Sequence, residues 1–246
     1  MLREIESFEG YTVNATDGEV GKVKDILFDS QHWTVRHLVV DTGGLIGDHS
    51  HLISPYAVTK IDDADKRIDL NLTKQKIKDA PGLEADLPVS RQLEAQYYDY
   101  YAWPYYWTGP YSWGTGWVPQ LSPNSHVDSV QEELNAHLEA EQDDYLHSFN
   151  VANGYTVEAR DGAMGDIEDM LMDDESWAIR YVVVDTSKLL PSKDVLISPK
   201  SIRDVDFRKS AITLDLTKDE LKGKPVFNSI EEARKGDSSD SAILIE

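Results

Sequence analysis

Gly10-Tyr11-Thr12-Val13-Asn14-Ala15-Thr16-Asp17-Gly18-Glu19-Val20-Gly21 returns 144 residues later as Gly154-Tyr155-Thr156-Val157-Glu158-Ala159-Arg160-Asp161-Gly162-Ala163-Met164-Gly165. The match continues without a gap, Gly10–Pro81 onto Gly154–Pro225, and about 30 of the 72 aligned pairs are identical. Self-similarity at a fixed spacing means one architecture built twice. Residues kept in both copies are expected to be structural, and those present in one copy to be particular to it.

Each copy reads as short strands and tight turns. In the first, Tyr11–Ala15 is a strand, Asp17-Gly18 a hairpin-turn dipeptide, and Val20–Phe28 a largely alternating strand. After a polar turn at Asp29–His32, the β-branched run Thr34–Asp41 fits a central strand. The Gly-rich stretch Gly43–Ser50 leads to His51-Leu52-Ile53-Ser54 and stops at Pro55. Arg67–Leu72 alternates, with Ile68, Leu70 and Leu72 on one face. A short helix is predicted from Thr73 to before Pro81; its counterpart opens Thr217-Lys218-Asp219-Glu220, a capping box that the first copy lacks because Lys76 replaces Glu220. Strands this short cannot build a large sandwich, and closure into a small barrel removes exposed edges. The expected fold is therefore mainly β: two small β-barrels joined by an aromatic-rich segment and an acidic helix. The predicted divisions are repeat 1 at 1–81, a connector with helices at 82–150, repeat 2 at 151–225 and a C-terminal tail at 226–246.

The kept residues suit structural duty. Gly18/Gly162 and Gly21/Gly165 fit turns or bulges where a Cβ would clash. Trp33/Trp177 are expected to cap the core. Arg36/Arg180 and Asp41/Asp185 lie an odd number of residues apart on one strand. They are expected to face opposite ways, each meeting a neighbouring strand.

Gly-Tyr-Thr-Val-x-Ala-x-Asp-Gly-x-x-Gly, Asp-x-Leu-x-Asp, Trp-x-x-Arg-x-x-Val-Val-Asp-Thr and Leu-Ile-Ser-Pro together resemble the PRC-barrel domain. That family is named for the cytoplasmic domain of the photosynthetic reaction-centre H subunit, and a related barrel ends the ribosome maturation factor RimM. The resemblance covers both repeats. It implies a small β-barrel used for protein–protein contact, with no shared catalytic residues and no cofactor. No counterpart of the H subunit's membrane helix or of RimM's N-terminal domain is expected in these residues.

The formal net charge of −21 argues against direct binding to nucleic acid or an anionic membrane, both of which need basic patches. Gly82–Asn150 alone holds eleven acids against one base, Arg91. No apolar run approaches a spanning helix, and Met1–Glu6 carries no signal-peptide core, so a cytoplasmic location is expected. The absence of cysteine removes disulfides, thiolate catalysis and Cys-based zinc sites.

The connector concentrates aromatic residues. Tyr97–Trp117 holds seven of the twelve tyrosines and four of the six tryptophans. Val89–Tyr101 and Val127–Leu146 read as helices. Tyr and Trp are enriched at binding hot spots. Tyr101, Trp103, Tyr105, Tyr106, Trp107, Tyr111, Trp113 and Trp117 are thus candidates for binding an unidentified protein partner or for homo-oligomerisation. The alternative is that these rings pack on the barrels or the acidic helix, and exposure of so many would invite aggregation.

Other sites are weaker. Asp48, His49 and His51 have metal-like density, but the second copy has Ser192, Lys193 and Val195 there. Asp62-Asp63-Ala64-Asp65 lacks the glycine and distal glutamate of a calcium loop. No nucleophile-elbow, Walker or zincin motif is present. The leading expectation is a non-enzymatic binding or scaffold protein. The alternatives are an accessory or assembly factor resembling the reaction-centre H subunit, and a metal-dependent sensor.

Overall fold

The computed structural model describes residues 1–44, 50–83, 89–107, 146–187 and 194–240. In chain order the strands are β1 (Leu2–Glu4), β2 (Thr12–Ala15), β3 (Gly18–Asp29), β4 (Thr34–Asp41), β5 (Ser50–Ile53), β6 (Val58–Asp62) and β7 (Arg67–Leu70). They continue as β8 (Leu146–Ser148), β9 (Thr156–Ala159), β10 (Gly162–Asp173), β11 (Ile179–Asp185), β12 (Asp194–Ile197), β13 (Ile202–Asp206), β14 (Ala211–Leu214) and β15 (Val226–Phe227). The helices are α1 (Lys74–Lys78), α2 (Arg91–Tyr101), α3 (Phe149–Ala152), α4 (Lys218–Lys222) and α5 (Ile230–Asp240).

These elements form two compact units, Phe8–Ser148 and Met1–Ser7 with Phe149–Glu246. In the first, the sheet order is β5-β4-β3-β2-β7-β6, with β8 added to β3. In the second it is β13-β14-β9-β10-β11-β12-β15, with β1 added to β10. The units therefore depart from the divisions 1–81, 82–150, 151–225 and 226–246. The first seven residues pair with the second repeat, the end of the connector pairs with the first, and the tail supplies β15 and α5 to the second unit. The predicted helix Val127–Leu146 lies outside the described residues except Leu146, which opens β8.

The same local chemistry recurs in each sheet. β3 and β10 are long strands bent by equivalent register shifts, at Val23/Asp25 and Leu27/Phe28 in one and at Ile167/Asp169 and Leu171/Met172 in the other. Val13, Val20, Leu38 and Ile68 are fully buried in the first unit, and Val157, Val182, Val184 and Leu214 in the second. Gly21 and Gly165 have no room for a side chain: a Cβ would lie 2.1 Å from the Asp41 carbonyl oxygen and 1.8 Å from that of Asp185. Gly18 and Gly162 have φ of +124° and +121°, a region favouring glycine. Trp33 and Trp177 are buried and sit in left-handed backbone, φ 49° and 58°, and Trp33 stacks on Phe28.

The sheets are barrel-like, but among the described residues no ladder joins β5 to β6 or β12 to β13. Closure by strand pairing, expected from the sequence, gives way to a 3-10 turn. Pro55–Ala57 follows Ser54, and Pro199–Ser201 follows Ser198. Proline at the turn's start withholds a backbone donor, so the ladder stops there. β15 covers the β12 edge through Val195 and Asp194, and Leu83 makes an isolated bridge to Ser50 of β5.

Helix ends follow the sequence closely. The Thr217 hydroxyl accepts from Glu220 N while Glu220 accepts from Thr217 N, the predicted capping box; in the first copy Thr73 accepts from Lys76 N alone. Asp17 and Asp161 of the hairpin turns also accept from Lys74 N and Lys218 N. Thr217→Ala is expected to cost about 1 kcal/mol, read as a lower urea midpoint with an unchanged slope. No change in the midpoint would contradict a stabilising cap.

Asp169 of β10 is a buried carboxyl. It accepts from Glu6 N at 3.1 Å and Met170 N at 2.6 Å, and burial, with Glu4 and Glu6 nearby, pushes its pKa up to about 7. The folded state thus binds a proton that the unfolded chain releases near pH 4. This group's contribution to stability is full at low pH and is lost as pH rises from about 4 through 7. Asp169→Asn keeps the accepting oxygen without the charge. It is expected to raise stability at pH 8 by on the order of 1–3 kcal/mol and to flatten this pH dependence. Parallel urea-stability profiles for parent and variant between pH 4 and 8 would exclude the effect.

Among the described residues, no helix is long and apolar enough to cross a membrane.

Candidate functional site

The aromatic segment is anchored from Ser90 onward. The Ser90 hydroxyl accepts from Leu93 N and starts α2, and Ala102 ends it in left-handed backbone with φ 56°. Helical spacing puts Glu94, Tyr97, Tyr98 and Tyr101 on one buried face. The left-handed residue turns the chain back, so Trp103, Tyr105, Tyr106 and Trp107 surround Tyr98 with ring centroids 5.2–6.1 Å away. Trp103 stacks on Tyr101 at 4.2 Å. Tyr56 and His37 of the sheet side meet Tyr98 edge-on.

A polar cluster lies beneath these rings. His37 of β4, fully buried, places Nε2 3.0 Å from Oε1 of Glu94, which is itself 1% exposed. The Tyr106 hydroxyl donates to the same oxygen at 2.8 Å. Arg91 Nη1 donates to Glu94 Oε2 at 2.9 Å and to the Tyr106 hydroxyl at 2.7 Å. The Arg36 guanidinium sits 3.9 Å from the Tyr106 ring centroid and donates to Asp29 Oδ2 at 2.9 Å. Burial alone would raise the Asp29 pKa, but His32's hydrogen bond and Arg36's charge hold it well below the usual carboxylate range. Burial, then the Glu94 charge, pushes the Tyr98 and Tyr106 hydroxyls well above their ordinary value. Those tyrosines therefore keep their protons at neutral pH, and Tyr106 serves as a donor. The arrangement can clamp a helix by charge-assisted hydrogen bonds in a dry setting.

The second unit uses the equivalent face differently. Tyr181 replaces His37, and Ile230 and Ala233 of α5 pack with Leu2, Leu171, Val183 and Leu196. The counterparts of the last three, Leu27, Val39 and Leu52, are buried in the first unit. α5 also starts from a serine, Ser229, whose hydroxyl accepts from Glu232 N. The equivalent positions His37 and Tyr181 thus both lie where a helix packs, among aromatic and ionic groups in one unit and among apolar groups in the other.

Of the sequence candidates, Tyr101, Trp103 and Tyr106 are buried, while Tyr105 and Trp107 are half-buried. Tyr101, Trp103 and Tyr106 are thus drawn into the interior of their own unit, while Tyr105 and Trp107 keep part of their surface exposed. Burying ring faces against Tyr98 removes more apolar area from water than leaving them out. Tyr111, Trp113 and Trp117 lie outside the described residues, as do Asp48 and His49. His51 is buried on β5, and the described residues hold no group of three or more potential metal ligands. Asp62 and Asp65 are engaged by Arg67, whose guanidinium reaches them at 3.6 and 3.0 Å, in an ion-paired turn.

Arg36 meets the neighbouring strand at Asp29, as expected, and Arg180 approaches the equivalent Asp173 at 3.7 Å. Asp41 and Asp185 instead accept from backbone donors two residues on, Gly43 N and Ser187 N. Sequence reasoning missed Glu94, His37 and Asp29 as one cluster. The available signal was Arg91, the connector's single base, three residues before Glu94 on a helix.

A curved, mainly antiparallel sheet followed by a helix defines a small, barrel-like β module. The chain carries a PRC-barrel domain: the model for that family matches residues 2–77, which run from β1 through most of α1. No curated protein matches the chain.

Proposed function

We propose that this protein is a non-enzymatic, cytoplasmic scaffold whose two PRC-type units bind other protein segments. The observation that carries this reading is that the equivalent region of each unit holds a helix with different side chains: α2 meets His37, Ser54 and Tyr56 in one, and α5 packs with Leu2, Leu171, Val183 and Leu196 in the other. A region that accepts either ionic or apolar helices is a general docking surface whose side chains set the partner. The strong acidity favours a partner with basic character and speeds encounter with it. Crosslinking in the native host at native expression is expected to recover a protein partner reproducibly, with crosslinks mapping to one or both of the two units. Recovery of no protein beyond this chain, together with turnover of a small substrate by the purified protein, would overturn the reading.

A further inference from the structure

β3 and β10 each pair along the first part of one edge with their own hairpin partner, and along their last three residues with a strand from the other repeat. β1 lies antiparallel on β10, with Leu2, Arg3 and Glu4 opposite Asp173, Met172 and Leu171. β8 lies antiparallel on β3, with Leu146, His147 and Ser148 opposite Asp29, Phe28 and Leu27. The two registers coincide once the repeat spacing is removed. Each repeat gives away its leading strand and receives the other's.

Backbone ladders in identical register cannot choose between β1 and β8. The side chains can. Arg3 Nε donates to Asp174 Oδ2 at 2.7 Å, with both side chains largely buried. The equivalent positions in the other unit are His147 and Ser30, joined by a 3.0 Å contact between Nε2 and Oγ, and Ser148 Oγ donates to Asp25 Oδ2 at 2.5 Å. Burial pushes His147 down to about 4, so its ring is neutral at physiological pH. Arginine in the histidine's place would meet Ser30 instead of Asp174, and a neutral imidazole in the arginine's place would leave Asp174 with only the half-exposed Met1 ammonium, 2.5 Å away, in place of a largely buried guanidinium.

We propose that the two sheet edges are selective strand acceptors, each coded for the leading strand of the other repeat, and that a second copy of this chain is the partner they fit. Two chains would trade halves, repeat 1 of each completing repeat 2 of the other. Such an exchange remakes every native contact and needs no new interface, which is the low-cost route to a dimer. Within one chain the tether gives the strands a high effective concentration, so the parent protein favours intrachain pairing. This inference stands independently of the proposed function.

The test reverses the charge code. Arg3→Asp sets an aspartate against Asp174, and Asp174→Arg sets an arginine against Arg3, so neither variant finds a match within itself or with its own copies. Mixing the two offers matched pairs in both directions between chains. Light scattering on the separated mixture is expected to show a species of twice the 27.7 kDa chain mass containing both variants, absent from either alone. Combining Arg3→Asp with Asp174→Arg in one chain is expected to restore the parent's mass and its folded circular-dichroism signal, with a lower melting temperature because the Met1 ammonium loses Asp174. If a single variant unfolds alone, recovery of the folded circular-dichroism signal on mixing is the same positive result. A mixture that stays at single-chain mass, or that fails to regain folded signal, overturns the proposal. So do single variants indistinguishable from the parent.

Discussion

Glu94→Ala is expected to destabilise the Phe8–Ser148 unit by about 3–5 kcal/mol, the cost of breaking a buried ion pair by removing one member. Glu94 is the common acceptor for His37 Nε2, Tyr106 OH and Arg91 Nη1. Its loss leaves the Arg91 cation, with a side chain only 16% exposed, without that counter-charge, and it opens space beneath the rings around Tyr98. Glu94→Gln keeps the volume and one accepting oxygen, so it should cost clearly less than alanine. Urea unfolding combined with hydrogen exchange checks both points. Protection should fall at α2, β4 and β5 and stay unchanged in the unit containing β9–β15. A loss below 1 kcal/mol for Glu94→Ala would mean that the cluster is not what holds α2 down.

Gly165→Ala should be at least as damaging, on the order of 4 kcal/mol or more, a size reached only by a few named mechanisms such as forced overpacking. The new Cβ would stand 1.8 Å from the Asp185 carbonyl oxygen and 2.9 Å from its carbon. Both are backbone atoms of the paired strand β11, so no side-chain rotation relieves the clash and β10 must move away. Gly21→Ala meets the same obstacle at 2.1 Å. Gly154→Ala is the control: nothing lies within 4 Å, and only the left-handed φ of +86° resists, worth about 1–2 kcal/mol. Calorimetry of the three variants gives the order, and a Gly165→Ala melting temperature above that of Gly154→Ala would contradict the steric argument.

Much of this fold is legible in the sequence because its determinants are local. Asp17-Gly18, the β-branched run at Thr34–Asp41 and the Thr217/Glu220 box each encode their own geometry within a few residues. Gly21 and Gly165 announced themselves by recurring at one spacing. The site was less legible. Arg36 recurs as Arg180, but its meeting with Tyr106 joins positions far apart in sequence. Glu94 is one of eleven acids in the connector, and no local pattern distinguishes it. Ring burial at Trp103 and Tyr106 followed from the left-handed turn at Ala102, which no residue preference favours.

By itself the sequence determined that there are two copies of one β-rich module, where their turns and caps fall, and that the first belongs with the PRC-barrel domains. Only the tertiary structure decided which strand completes which sheet. Leu2–Glu4 and Leu146–Ser148 are equivalent segments, and either offers the same backbone donors and acceptors to either edge. The choice rests on contacts between residues more than a hundred positions apart, Arg3 with Asp174 and His147 with Ser30. Local sequence patterns carry no record of such pairs, because their energy exists only once the chain has brought them together.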